Sequence, residues 1–145
     1  MSRSARFILS LIAVLALAGI GVSSLALYHH YGTSQTNYCD FGQNFNCDIV
    51  NRSVYSTVFG IPVALIGILG YAFLLTLSTL YRERTEMPMM LIIAATLGLG
   101  YAIYLTYIEA FVLGTWCIVC LSSAGIILLI TILSSVVMAQ TLRRV

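Results

Sequence analysis

Charge disappears from this chain in long blocks, and the blocks mark out its elements. Between Arg6 and Asp40 there is none apart from His29 and His30. The apolar part of that run, 7–28, is long enough for one membrane helix of about 20 residues. A second charge-free run lies between Arg52 and Arg82, and predicts a span over 57–81. From Met87 to Leu142 the only charge is Glu109. That stretch is too long for one helix, so "EAFVLGTW" must hold a turn, with Gly114 and Thr115 as the breakers. The pattern predicts spans at 7–28, 57–81, 87–109 and 115–139. In the loop 29–56, the first part is polar and without helical period. Residues 48–58 bring Ile49, Val50, Val54 and Val58 near one face, which predicts a short amphipathic helix at the interface.

Composition agrees with four spans. Of the 145 residues 60% are hydrophobic and 8% charged, against roughly 25% charged in a soluble domain. Mean hydropathy is +0.99. The fold class expected is all-α, an integral membrane four-helix bundle, with residues 1–145 forming a single domain. The basic start resembles a secretory signal, but an apolar run of about 22 residues exceeds the 7–15 of a signal core. Removing it would also leave an odd number of spans.

Arginine sets the expected orientation. Arg3, Arg6, Arg82, Arg84, Arg143 and Arg144 fall on one side of the predicted bundle and only Arg52 on the other. The positive-inside rule makes the first side cytoplasmic. Both termini are then inside, and the loop 29–56 and the 109–115 turn are extracytoplasmic. Tyr28, Tyr31 and Tyr81 suit the aromatic belts.

All four cysteines, Cys39, Cys47, Cys117 and Cys120, fall on that extracytoplasmic side, where disulfides persist. Three pairings are open. Inert staples are one reading. A bridge between Cys117 and Cys120 would close too small a loop to restrain the unfolded chain much. It makes more sense as a bond that opens and closes. A helix N-terminus stabilises a thiolate, and Cys120 would lie about 4.5 Å deeper than Cys117. One sulfur can face the loop and the other the bilayer. Zinc is a weaker alternative, since the C-x7-C spacing departs from the usual C-x2–4-C.

Two stretches, "YCDFGQNFNCDIVNRSVYSTVFGIP" and "YLTYIEAFVLGTWCIVC", resemble the vitamin K epoxide reductase family in its bacterial and archaeal branch. The matching features are two loop cysteines seven residues apart, Ser53 six after the second, Phe59-Gly60 ahead of helix 2, and C-x-x-C opening the last helix. The resemblance implies a bundle around a quinone, whether ubiquinone, menaquinone or a related one. By position, Cys120 resembles the cysteine that reacts with the ring, and Cys117 its partner, which also exchanges with Cys47. Cys39 resembles the shuttle thiol that meets a thioredoxin-fold, DsbA-like protein. Ser53 would cap the pocket. The implied activity is membrane thiol–disulfide oxidation coupled to quinone, with lipid as surroundings and no nucleic acid as partner. The chain departs from the animal enzymes at Ala124, where they carry a tyrosine, and in an apolar helix 2 without their asparagine. Those departures favour disulfide formation over vitamin K quinone or epoxide reduction. Many bacterial members continue into a thioredoxin-like domain; this chain stops at Val145, so its partner is expected as a separate chain.

Some residues carry two readings. Glu109 suits a proton relay, or a plain interfacial carboxylate exposed to water. Tyr101, Tyr104 and Tyr107 recur every three residues, which suggests a shared face lining the quinone, or core packing. Phe59, Tyr104 and Tyr107 join Ser53 and Cys120 as expected quinone contacts. Gly60, Gly67, Gly70, Gly98 and Gly100 suggest close helix packing. Asn51-Arg52-Ser53 matches a glycosylation sequon, at a place where a sugar would obstruct the cap.

Overall fold

The computed structural model describes residues 3–31, 57–80, 87–114, 116 and 118–143. Cys39, Cys47, Ser53 and Cys117 lie outside the described residues, as does most of the interfacial helix expected over 48–58.

The long apolar runs fold as helices. They are α1 (Arg3–Tyr31), α2 (Val63–Thr79), α3 (Met87–Tyr107) and α4 (Ile118–Leu142). In hydrocarbon each backbone amide must be paired within its own segment, and a helix does that. Segments Arg3–Tyr28, Pro88–Val112 and Ile118–Leu142 are long and apolar enough to cross a membrane; α2 is equally apolar but has 17 residues. This is an all-α, multi-pass membrane bundle.

Helix 2 starts later than expected. Residues 57–62 form a small antiparallel hairpin, β1 (Thr57–Val58) and β2 (Ile61–Pro62), with Val58 opposite Ile61. Its two turn residues, Phe59 (φ 53°) and Gly60 (φ 80°), both take positive φ, as the tight two-residue hairpin turn requires. Pro62 then caps α2 in an extended conformation (ψ 136°). The 57–58 end of the predicted amphipathic helix is therefore strand.

Helix 3 ends later than expected. Beyond Tyr107 the chain stays helical through Leu113, but with π geometry over Ile108–Leu113. Gly114, in the left-handed region (φ 66°), closes the segment by donating its N–H to the Glu109 carbonyl. Gly114 breaks the helix as expected and Thr115 lies outside the described residues; the turn lies beyond 113, and α4 opens at Ile118 rather than 115.

α1 packs along α2 and α4, and α4 along α3, while α2 and α3 make a smaller contact. The buried positions of α1 are Ala5, Leu9, Ile12, Ala16, Gly19, Ser23 and Ala26, spaced three or four apart as a bundle seam demands. Close approach depends on small residues, as usual in membrane bundles. A Cβ on Gly19 would lie 2.5 Å from the Tyr71 ring, and one on Gly67 2.9 Å from the Ser23 hydroxyl. A Cβ on Gly98 would stand 3.3 Å from Ile127, whereas Gly70 and Gly100 face open space. Gln140 donates from Nε2 to Ser4 Oγ at 3.3 Å. That bond sets the end of α4 beside the start of α1, so Arg3, Arg6 and Arg143 share one end of the bundle.

Candidate functional site

A cavity of about 380 Å³ opens inside the half of the bundle away from the arginines, with walls from all four helices and the π segment. Its volume falls in the range of small-molecule sites, roughly 300–1,000 Å³. Most of the lining is aliphatic. The polar exceptions include Ser23 on α1, Tyr71 on α2, Tyr101 on α3, Glu109 on the π segment, and Cys120 and Ser123 on α4.

Cys120 reaches the cavity because of where α4 begins. With Ile118 first in the helix, Cys120 lies in its opening turn. Ser123, Ala124 and Ile127 follow on the same stripe, and all line the cavity. Cys120 also packs on the small apolar cluster of Ala26 and Val119.

One turn deeper, Tyr71 crosses from α2 to α4. Its hydroxyl lies 2.8 Å from the Ser123 carbonyl oxygen, to which it donates, and 2.9 Å from Ser123 Oγ. The ring is buried, and Gly19 on α1 leaves the space it fills. Sequence reasoning missed both residues. A signal existed: a lone tyrosine inside a uniformly apolar helix needs a partner for its hydroxyl, and Ser123 lies one turn after Cys120.

The three tyrosines of α3 part company. Tyr101 lines the cavity, but Tyr104 and Tyr107 do not and are largely exposed. At about 100° per residue, a three-residue repeat slips about 60° each time. Tyr104 instead meets the Tyr101 ring at 5.8 Å between centroids, and Tyr107 meets Phe111 at 5.1 Å. Phe59 is fully exposed at the hairpin tip, away from the cavity. Of the residues expected to contact quinone, the structure thus brings Cys120 to the cavity and leaves Phe59, Tyr104 and Tyr107 outside it.

Glu109 goes the other way. The reading of a water-exposed carboxylate fails, because its side chain is 2% exposed and lines the cavity.

A model for the vitamin K epoxide reductase family matches residues 10–135. The chain belongs to this family. Curated proteins offer no match to it. Members of the vitamin K epoxide reductase family are membrane oxidoreductases that generally use quinone or vitamin K as electron acceptor and a thiol redox partner. In this member, the matched stretch contains every residue that lines the cavity. The lining fits such an acceptor: a flat apolar ring can lie against aliphatic walls, and its carbonyl oxygens need a few hydroxyl or carboxyl groups. Tyr71 and Ser123 are of that kind.

Proposed function

We propose that the protein oxidises a separate thioredoxin-fold, DsbA-like partner and passes the electrons through two cysteine pairs to a membrane quinone. One observation carries this reading: Cys120 lines a mostly apolar cavity walled by all four helices, in a chain of this family.

The partner's dithiol gives two electrons and two protons to the Cys39–Cys47 pair and becomes a disulfide. Cys39 meets the partner, and Cys47 exchanges with Cys117. The electrons then rest on the Cys117–Cys120 dithiol, whose reoxidation closes a disulfide and reduces quinone to quinol. Thiol–disulfide exchange of this kind needs only a thiolate within reach of a disulfide sulfur. A bound quinone supplies the two-electron acceptor. The aliphatic walls hold its ring, and Cys120 presents its sulfur to it. Tyr71, whose ring is fixed against Gly19, holds a hydroxyl at the same wall. Both termini face the cytoplasm in this reading, and the cysteines face the oxidising side. The family resemblance implies that Ser53 would cap the pocket there.

Purified protein with a reduced thioredoxin-fold partner tests it. Partner oxidation is expected only when a short-chain quinone is added, and is expected to stop in Cys120→Ala. Undiminished turnover in that variant would sink the reading. Cys39→Ala should lose partner oxidation while a small dithiol still drives quinone reduction through Cys117–Cys120. Consumption of vitamin K epoxide at a comparable rate would favour the family's reductase role instead.

A further inference from the structure

Glu109 is the one acid among the cavity-lining residues, and it is 2% exposed. Within a membrane span, an acid turned into the bundle interior marks a site of function. Its neighbour Ile108 is 4% exposed, while Tyr107 before the pair and Phe111 after it are exposed. The inward turn of this pair coincides with the start of the π segment. Such segments are rare and frequent at functional sites, because the added residue re-aims the side chains around it. The titratable groups sharing the cavity are Tyr71 from α2, Tyr101 from α3 and Cys120 from α4; α1 contributes none to it.

We infer that Glu109 is the proton carrier of the cavity, moving a proton from the Cys120 thiol to an oxygen of the bound quinone. This rests on the quinone reading above and adds a residue to it. Oxidation of the Cys117–Cys120 dithiol forms one S–S bond and releases two electrons and two protons. Reduction of the quinone to quinol takes up both. The Glu109 carboxylate accepts the proton that leaves Cys120. As a carboxylic acid it hands that proton to one quinone oxygen and is a carboxylate again. The Cys117 proton goes to water, and water returns one to the second oxygen. The sum is dithiol plus quinone to disulfide plus quinol, with Glu109 unchanged. General acid–base groups placed this way contribute about 10²–10⁴ in rate.

The test uses the full chain in detergent or lipid, with a short-chain benzoquinone as probe and a small dithiol as donor. Three measurements are made on wild type, Glu109→Gln and Glu109→Asp: quinone binding by calorimetry, reduction of the cysteine pairs by dithiol without quinone, and the rate of quinone reduction. Glu109→Gln is expected to bind the probe and accept electrons within about twofold of wild type, yet reduce quinone at least tenfold more slowly. Glu109→Asp is expected to recover part of that rate. Quinone reduction by Glu109→Gln at the wild-type rate overturns the proposal. So does lost probe binding in a Glu109→Gln protein whose cysteine pairs still accept electrons from the dithiol, because the carboxyl then holds the ligand rather than its proton. Should Glu109→Gln fail in all three measurements, Glu109→Asp decides: recovery of quinone reduction supports the carrier, and none overturns it. A wild-type protein inert toward quinone removes the functional reading itself, whereas an active wild type with an equally active Glu109→Gln removes this proposal alone.

Discussion

The two halves of the bundle are built to different rules. Toward the arginines, Leu9, Ile12, Leu91 and Ile130 close the interior, each 4% exposed or less. Ala95 and Val137 belong to the same core. The helices there are regular and end on the Gln140–Ser4 bond. In the other half the interior is hollow. Around the hollow stand a π segment, a hairpin with a phenylalanine at positive φ, and a buried acid. Irregular backbone concentrates where side chains must be aimed rather than merely packed. One half supplies stability and holds the four helices in register, so the other can leave room for a ligand.

That division is open to experiment. The largest effect expected is on activity alone: Cys120→Ala should reduce quinone-coupled turnover to background while the thermal midpoint stays put. The mirror case is Leu91→Ala in the packed half. It should cost about 2–5 kcal/mol of stability, read by denaturation in detergent, while surviving folded protein keeps its turnover. Gly19→Val probes the seam between halves. Its side chain would meet the Tyr71 ring, at a cost of about 1–3 kcal/mol, and the displaced tyrosine should weaken quinone binding in calorimetry. Loss in both readouts would show that the halves are coupled there. The smallest change expected is Tyr71→Phe. Breaking its bonds to Ser123 should cost about 0.6 kcal/mol, typical of hydrogen bonds between membrane helices. A much larger loss would mean that the hollow half also carries stability.

The packed half was the more legible in the sequence. Charge-free runs give the spans because hydrocarbon forbids unpaired charge, and that rule acts on every residue alike. α1 and α4 follow from it directly. The place of Cys120 was legible only in part: it follows from the start of the last helix, which lies at Ile118, three residues later than expected. The hollow half was harder. Nothing in the hydropathy of "STVFGIPVAL" separates a hairpin from a helix start; the separation depends on two residues taking positive φ. The inward aim of Glu109 depends on π geometry, which changes the number of residues per turn and so shifts the phase on which a face assignment rests. Tyr104 and Tyr107 were misplaced by treating a three-residue repeat as a straight row. Tyr71 was passed over because its partner lies 52 residues away, beyond any local pattern.

The 17 residues of α2 have one more consequence. At 1.5 Å per residue that helix is about 26 Å long, less than the roughly 30 Å hydrocarbon thickness of a typical bilayer. α1, with 29 residues, exceeds it. The protein therefore presents walls of unequal height to its lipids. On the low side the apolar length is made up by the hairpin, whose exposed Phe59 and Ile61 continue the apolar surface past the end of the helix. Hydrophobic mismatch of this kind is relieved by tilt or by thinning of the membrane beside the short wall, at a fraction of a kcal/mol per ångström. Lipids of graded chain length would therefore test whether the cavity end of the molecule responds to bilayer thickness.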